Sequence, residues 1–326
     1  MKKILLSLLI ILISSDLSAG ATFIDIQEFS PHSPAINELE KLNIVSGFAD
    51  NTFKSDLNIT RAQALKIIML SADIQSEIKI EKYFFDDVKN EDWYSPYIYK
   101  AFSIGLINGF PDNKFHPNNP ITKAEFIKIL FKAHNFELHY GKDDLSFSDV
   151  QKNSWFYPYF VAAYENNFVL ESLQGGLLPE KKLARGESAD LIFKMIIYKK
   201  TNRDTQELLD YSENYLIQSI NRINQKDFSN AYYLINQARF FLELAKLEKS
   251  ETKLVNAVFN INEAMRMICN AFYLNQNHDF INSAVLAREA KYYAQKGLEF
   301  SVKVDDIAEK IIKQADILIN ISLLKS

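Results

Sequence analysis

Ile121-Thr122-Lys123-Ala124-Glu125 reads as the start of a helix, and it returns as Ile59-Thr60-Arg61-Ala62-Gln63 and as Leu183-Ala184-Arg185-Gly186-Glu187, at a spacing of 62 residues. A fixed period of this length marks a repeated supersecondary unit, one too small to bury its apolar face alone. Working outward, the same register carries Phe23, Asp25 and Ile26 onto Phe85, Asp87 and Val88, and onto Phe147, Asp149 and Val150. It also carries Pro34 onto Pro96 and Pro158, and Phe53 onto Phe115 and Leu177. No insertion interrupts it, so about half of the 326 residues are one unit used three times.

Each copy holds two helices. The first starts at Ser33-Pro34, Ser95-Pro96 and Tyr157-Pro158, because proline at the first helical position loses only a donor that would be orphaned there. Its buried stripe is predicted as Ile98, Ala101, Phe102 and Gly105 in copy two, and Phe160, Ala163, Tyr164 and Asn167 in copy three. Gly47-Phe48-Ala49-Asp50-Asn51 and Gly109-Phe110-Pro111-Asp112-Asn113 follow as turns, with Gly47 and Gly109 placed where a helix ends in a left-handed residue. These Asp/Asn pairs lack the alternating ligands and distal glutamate of a calcium loop. The second helix opens with a capping box, in which Thr60 or Thr122 accepts from a backbone amide while Gln63 or Glu125 reaches back; in copy three Glu187 remains but Ala184 has no hydroxyl.

Capping does not require the basic residue. Arg61, Lys123 and Arg185 sit in the first helical turn, where the helix dipole disfavours a cation by up to ~1 kcal/mol. A cation beside exposed helix-start amides makes a site for a carboxylate or phosphate. The alternative is a pair with a neighbouring copy's Asp or Glu, which contributes little when solvated.

Phe-x-Asp-Val/Ile three times, Trp93-Tyr94 and Trp155-Phe156, Gly-Phe-x-Asp-Asn-x-Phe twice and the Ile-Thr-Arg-Ala-Glu type motif three times resemble the S-layer homology domain over residues 23 to about 200. The resemblance implies a pseudo-threefold helical bundle that anchors exported proteins non-covalently to anionic, typically pyruvylated, wall polysaccharide or to a peptidoglycan-linked polymer. It implies that Arg61, Lys123 and Arg185 bind carboxylates and that Trp93 and Trp155 offer stacking faces, although both tryptophans could equally close the core. Asp25, Asp87 and Asp149 would hold the start of each copy in place. Copy one has Pro31 in place of tryptophan, and copy three replaces the glycine turn by Glu171-Ser172-Leu173-Gln174-Gly175. The groove using Lys123 is therefore expected to be the best preserved.

The organisation expected is a signal peptide over 1–21, three repeats over 22–82, 83–144 and 145–200, and a helical domain over 201–326. The signal reading rests on Lys2 and Lys3, an apolar run from Ile4 to Ile13 and small residues at Ala19-Gly20-Ala21; a retained anchor is the alternative. That run is shorter than the roughly 20 residues a membrane span needs, and no later stretch has that length, so no transmembrane segment is expected in the mature chain. A formal charge of −4 makes non-specific nucleic-acid binding a poor expectation. Cys269 is the only cysteine, which excludes an internal disulfide.

After Gly186 the only glycine is Gly297, and no proline follows Pro179. Long helices near 204–224, 227–248, 251–274, 279–299 and 303–324 are the natural reading. Asp227-Phe228 and Asp279-Phe280 head a second repeat with a spacing of 52, with both aspartates as N-caps. The period and landmarks differ from those of tetratricopeptide hairpins, which leaves an antiparallel helical bundle. Tyr232, Tyr233, Phe240, Phe241, Phe272, Tyr273, Tyr292 and Tyr293 are expected mostly in its core.

The fold class expected is thus mainly α. No catalytic, metal or cofactor residues emerge. His134 and His139 lack a metal-type partner pattern, Cys269 sits in packed helix, and Asp86-Asp87 and Asp143-Asp144 are adjacent rather than opposed. The expectation is a non-catalytic exported protein of the cell wall, S-layer or periplasmic face, whose C-terminal helices meet a protein partner. An envelope enzyme or an S-layer subunit is the alternative.

Overall fold

The computed structural model describes residues 23–27, 30–77, 84–138, 147–248, 252–301 and 304–325. The signal-like segment, His139 and the pair Asp143-Asp144 lie outside them. Among the described residues the chain is mainly helical, with eleven α-helices and no sheet.

The first helices of the copies are α1 (Ser33–Lys41), α3 (Ser95–Ser103) and α5 (Tyr157–Glu165), each with proline in its first turn. Two residues beyond each end stands a left-handed residue: Asn43 (φ 56°), Gly105 (φ 72°) and Asn167 (φ 58°). These end the helices, which corrects the role expected of Gly47 and Gly109. Gly105 itself is exposed rather than part of a buried stripe. Neither Gly47 nor Gly109 has a positive φ; instead a Cβ added at either would stand 2.4 Å from the ring of Phe23 or Phe85. Glycine is needed there so that the first aromatic of each copy can lie against the backbone.

The second helices are α2 (Arg61–Ser71), α4 (Lys123–Ala133) and α6 (Arg185–Lys199). Thr60 Oγ1 accepts from Gln63 N at 3.3 Å, and Gln63 Oε1 accepts from Thr60 N at 3.1 Å. Thr122 and Glu125 repeat the exchange at 3.1 and 2.9 Å. In copy three only Glu187 Oε2 accepting from Ala184 N, at 3.2 Å, remains.

The residues before these helices close a ring. Ile59 N donates to Leu183 O (2.9 Å), Leu183 N to Ile121 O (3.0 Å) and Ile121 N to Ile59 O (3.2 Å). The first two amides of every second helix then donate to a neighbouring copy's loop: Arg61 and Ala62 to Asn119 O and Pro117 O, Lys123 and Ala124 to Lys181 O and Pro179 O, Arg185 and Gly186 to Leu57 O and Ser55 O. These bonds satisfy donors that a lone helix leaves open.

Each aspartate of the Phe-x-Asp motif accepts two consecutive amides 28 and 29 positions on. Asp25 takes Phe53 N and Lys54 N at 2.7 Å, Asp87 takes Phe115 N and His116 N at 2.8 Å, and Asp149 takes Leu177 N and Leu178 N at 3.2 and 2.7 Å. Lys54, His116 and Leu178 are all left-handed (φ 59°, 57° and 57°), a costly conformation for side-chain-bearing residues, so the carboxylates hold a strained corner.

Helices α7 (Thr205–Asn224), α8 (Phe228–Glu248), α9 (Lys253–Gln276), α10 (Phe280–Phe300) and α11 (Asp305–Lys325) follow. The 52-residue repeat is a repeated hairpin corner. Asp227 accepts from Asn230 N (3.3 Å) and Asn230 Nδ2 (2.8 Å), and Asp279 from Asn282 N (3.2 Å) and Asn282 Nδ2 (2.8 Å). Each helix packs on the next, and α9 also meets α7 and α11, so the antiparallel helices form a row of stacked hairpins. Their aromatics are largely core, except Tyr292, which is exposed. Phe240 meets Phe168 and Phe241 meets Phe193, at centroid separations of 5.2 and 5.6 Å, which joins this row to copy three.

Candidate functional site

The three cations reach across the seams between copies. Arg61, buried, donates from Nε to Phe115 O (3.0 Å) and from Nη1 to Glu125 Oε1 (2.9 Å), and lies over the rings of Phe110 and Phe115. Arg185, also buried, donates from Nε to Phe53 O (2.8 Å) and from Nη2 to Ser46 O (3.0 Å), over Phe48 and Phe53. Lys123 donates from Nζ to Leu177 O at 2.9 Å, with Ser172 and Leu177 where the other seams have phenylalanine. Burial, only partly opposed by Glu187, pushes the Lys123 ammonium down to about 8. A guanidinium between rings and carbonyls recovers more than the unfavourable dipole costs. Because neighbouring carbonyls occupy the helix-start amides, the anion site expected from exposed amides is not there.

A seam groove takes its loop and second helix from one copy, its cation from another and its tryptophan from the third. The groove of about 200 Å³ beside copy one is lined by Val45, Phe48, Gln63, Lys66, Trp93 and Arg185. Lys66 Nζ lies 5.7 Å from the Trp93 ring centre. Trp93 is 52% and Trp155 50% exposed, so neither closes the core. Among the described residues no carboxylate pairs with Arg185 or Lys66. Beside copy two the corresponding residues are Arg61, Glu125, Lys128 and Trp155, with Lys128 Nζ 5.0 Å from the Trp155 ring centre and Arg61 paired to Glu125.

The third seam, which uses Lys123, keeps a glutamate, Glu187, where the second has Glu125, but departs from both at the tryptophan, the lysine and the glycine. Pro31 replaces the tryptophan, Asp190 replaces Lys66 and Lys128, and Glu171 replaces the glycine. Asp190 is buried and accepts from Tyr215 Oη (3.1 Å) and Tyr233 Oη (2.6 Å), with His32 Nδ1 at 2.6 Å. Asn236 Nδ2 donates to Glu171 O at 3.2 Å. Gly186 stands where Ala62 and Ala124 stand elsewhere, and a Cβ there would lie 2.3 Å from the His32 ring. Helices α7 and α8 therefore cover this seam. The expectation that the Lys123 groove is the best preserved is overturned: the departures at Pro31, Glu171 and Gly186 all meet at one place and build a seat for the C-terminal helices. Periodicity missed Lys66, Lys128 and Asp190, although the register that aligns Arg61 with Arg185 also aligns these three.

The remaining reactive side chains are quiet. Cys269 is buried and its thiol is pushed up to about 12 by burial. His134 Nε2 lies 3.0 Å from Ser71 Oγ, and burial together with Lys199 pushes the imidazole down to about 4. Among the described residues no group of three or more His, Cys, Asp or Glu could hold a metal, and no helix is long and apolar enough to cross a membrane.

Residues 22–65 and 84–127 match the family model of the S-layer homology domain. The chain is 29% identical over 104 residues to a surface layer protein of Brevibacillus choshinensis, covering 31% of this chain and 9% of that protein. It is 30% identical over 155 residues to a cell surface protein of Thermoanaerobacter kivui (47% and 18%). It is 27% identical over 181 residues to a cellulosome-anchoring protein of Acetivibrio thermocellus (54% and 40%). The chain thus spans less than half the length of each of these relatives.

Proposed function

We propose that this chain is an exported envelope protein whose three-copy module, with copy three as a diverged third S-layer homology repeat, holds non-covalently to an anionic wall polymer. The observation that carries the reading is the groove in which Arg185, Lys66 and the open face of Trp93 converge, with no pairing carboxylate among the described residues. Two cations attract an anionic sugar and an exposed indole stacks on its ring, the combination a charged polysaccharide calls for. At the second seam Arg61, Lys128 and Trp155 converge likewise, there with Arg61 paired to Glu125. Lys123 serves in this reading as the clamp between copies two and three, under α7 and α8. The family match and the relatives' names, which speak of surface layers, cell surfaces and cellulosome anchoring, agree with attachment at the cell surface. Helices α9 to α11 are left to meet a protein partner, and the reading includes no reaction, metal or cofactor.

Co-sedimentation of the chain from residue 22 onward with purified sacculi, before and after their acid-labile polymer is stripped, tests this. Binding that disappears on stripping supports it; failure to bind untreated sacculi of the native host overturns it.

A further inference from the structure

The two open seams share a buried arginine over two phenylalanines, a lysine beside an exposed tryptophan and the same helix start. They differ in charge beside the arginine, and again just before the tryptophan, where Glu91-Asp92 stands at the first seam and Asn153-Ser154 at the second. Copy two carries Glu125, whose Oε1 lies 2.9 Å from Arg61 Nη1, whereas copy one carries Gln63, and among the described residues Arg185 donates only to backbone carbonyls. The glutamate neutralises its arginine; the glutamine leaves its arginine's charge, together with that of Lys66, directed at whatever enters. Capping does not explain the difference, since Gln63 and Glu125 close the same capping box.

Resting on the wall-polymer reading, we propose that position 63/125 sets the charge of the sugar each seam accepts: the Gln63 seam takes the carboxylate-bearing residue of the polymer, and Glu125 turns the second seam toward its uncharged residues. One strand could then engage both seams with different sugars.

The chain contains two tryptophans, one at each seam, so each reports on its own groove. Trp155→Phe leaves Trp93 as the reporter and Trp93→Phe leaves Trp155. Each chain is titrated with a pyruvate-ketal glucoside and with its uncharged methyl ester while indole emission is followed. The acid should change Trp93 emission at a concentration about tenfold lower than it changes Trp155 emission, the effect of one partly desolvated charge. The ester should show no such preference. Gln63→Glu should abolish the advantage of the first seam and Glu125→Gln should confer it on the second, both with the melting temperature kept, since each residue is native to that cap in the other copy. Equal responses of the two tryptophans to the acid, or a ratio unmoved by the exchange, would overturn the proposal. So would silence of both tryptophans; sedimentation of the same chains with sacculi then decides whether the wall-polymer reading falls with it.

Discussion

His32 Nδ1 and Asp190 Oδ2 lie 2.6 Å apart although 158 positions separate them, and Tyr215 and Tyr233 donate to the same carboxylate. One buried side chain thereby ties copy one, copy three and two C-terminal helices together. Asp190→Ala leaves an imidazole and two phenol hydroxyls without their acceptor. We expect a loss of about 3–5 kcal/mol in denaturant unfolding, with Asp190→Asn retaining part of it. A loss below about 1 kcal/mol would show that the cluster does not hold the two halves together.

Two buried groups at this junction give opposite pH dependences. Burial pushes the Lys194 ammonium down to about 7, against the attraction of Asp190, whereas in the unfolded chain it returns to its ordinary 10.5. Between these values the unfolded state binds more protons, so stability rises with pH by at most about 1.4 kcal/mol per unit. Lys123, pushed down to about 8, acts in the same direction. For His32, burial disfavours the charged form, but the charge and hydrogen bond of Asp190 outweigh it and raise the imidazole above 6.5. Its contribution is complete below pH 6.5 and is lost as pH climbs through the raised value. Unfolding midpoints measured from pH 5 to about 10 should flatten on the alkaline side in Lys194→Met, and His32→Asn should remove the fall above neutrality.

Gly186→Ala restores the residue that copies one and two carry, yet it should destabilise the fold. The new Cβ meets the His32 ring at 2.3 Å, and the cost of such overpacking is about 1–3 kcal/mol. Thermal melting checks this; an unchanged or raised midpoint would mean that His32 moves aside freely.

Lys66 and Lys123 should separate binding from folding. Lys66 has its ammonium at the edge of the open groove and makes no ion pair among the described residues, so Lys66→Ala should weaken sacculus binding and alter stability by less than about 0.5 kcal/mol. Lys123 holds Leu177 O across a covered seam, so Lys123→Ala should lower the melting temperature and leave sacculus binding intact. The reverse pattern would place the polymer in the Lys123 seam.

Local signals in the chain specified much of this molecule. Prolines at first turns and Thr-x-x-Gln/Glu caps placed the starts of the repeat helices, and helix-poor residues withheld from the second half placed the five long ones within a few residues, because these signals act within one turn of backbone. The period of 62 likewise gave the register in which Asp25, Asp87 and Asp149 and the three cations recur. What it could not announce was which copy supplies which wall of a groove. Arg185 belongs with Phe53 and Trp93, and Lys123 with Leu177 and Pro31, because the ring of backbone bonds at Ile59, Ile121 and Leu183 sends each helix start into its neighbour's loop. Nor could spacing distinguish decay from design at Pro31, Gly186 and Asp190. Scattered over 160 positions, they acquire a meaning only where α7 and α8 lie across them, since packing, hydrogen-bond partners and loss of water at a seam are properties of residues brought together by the fold.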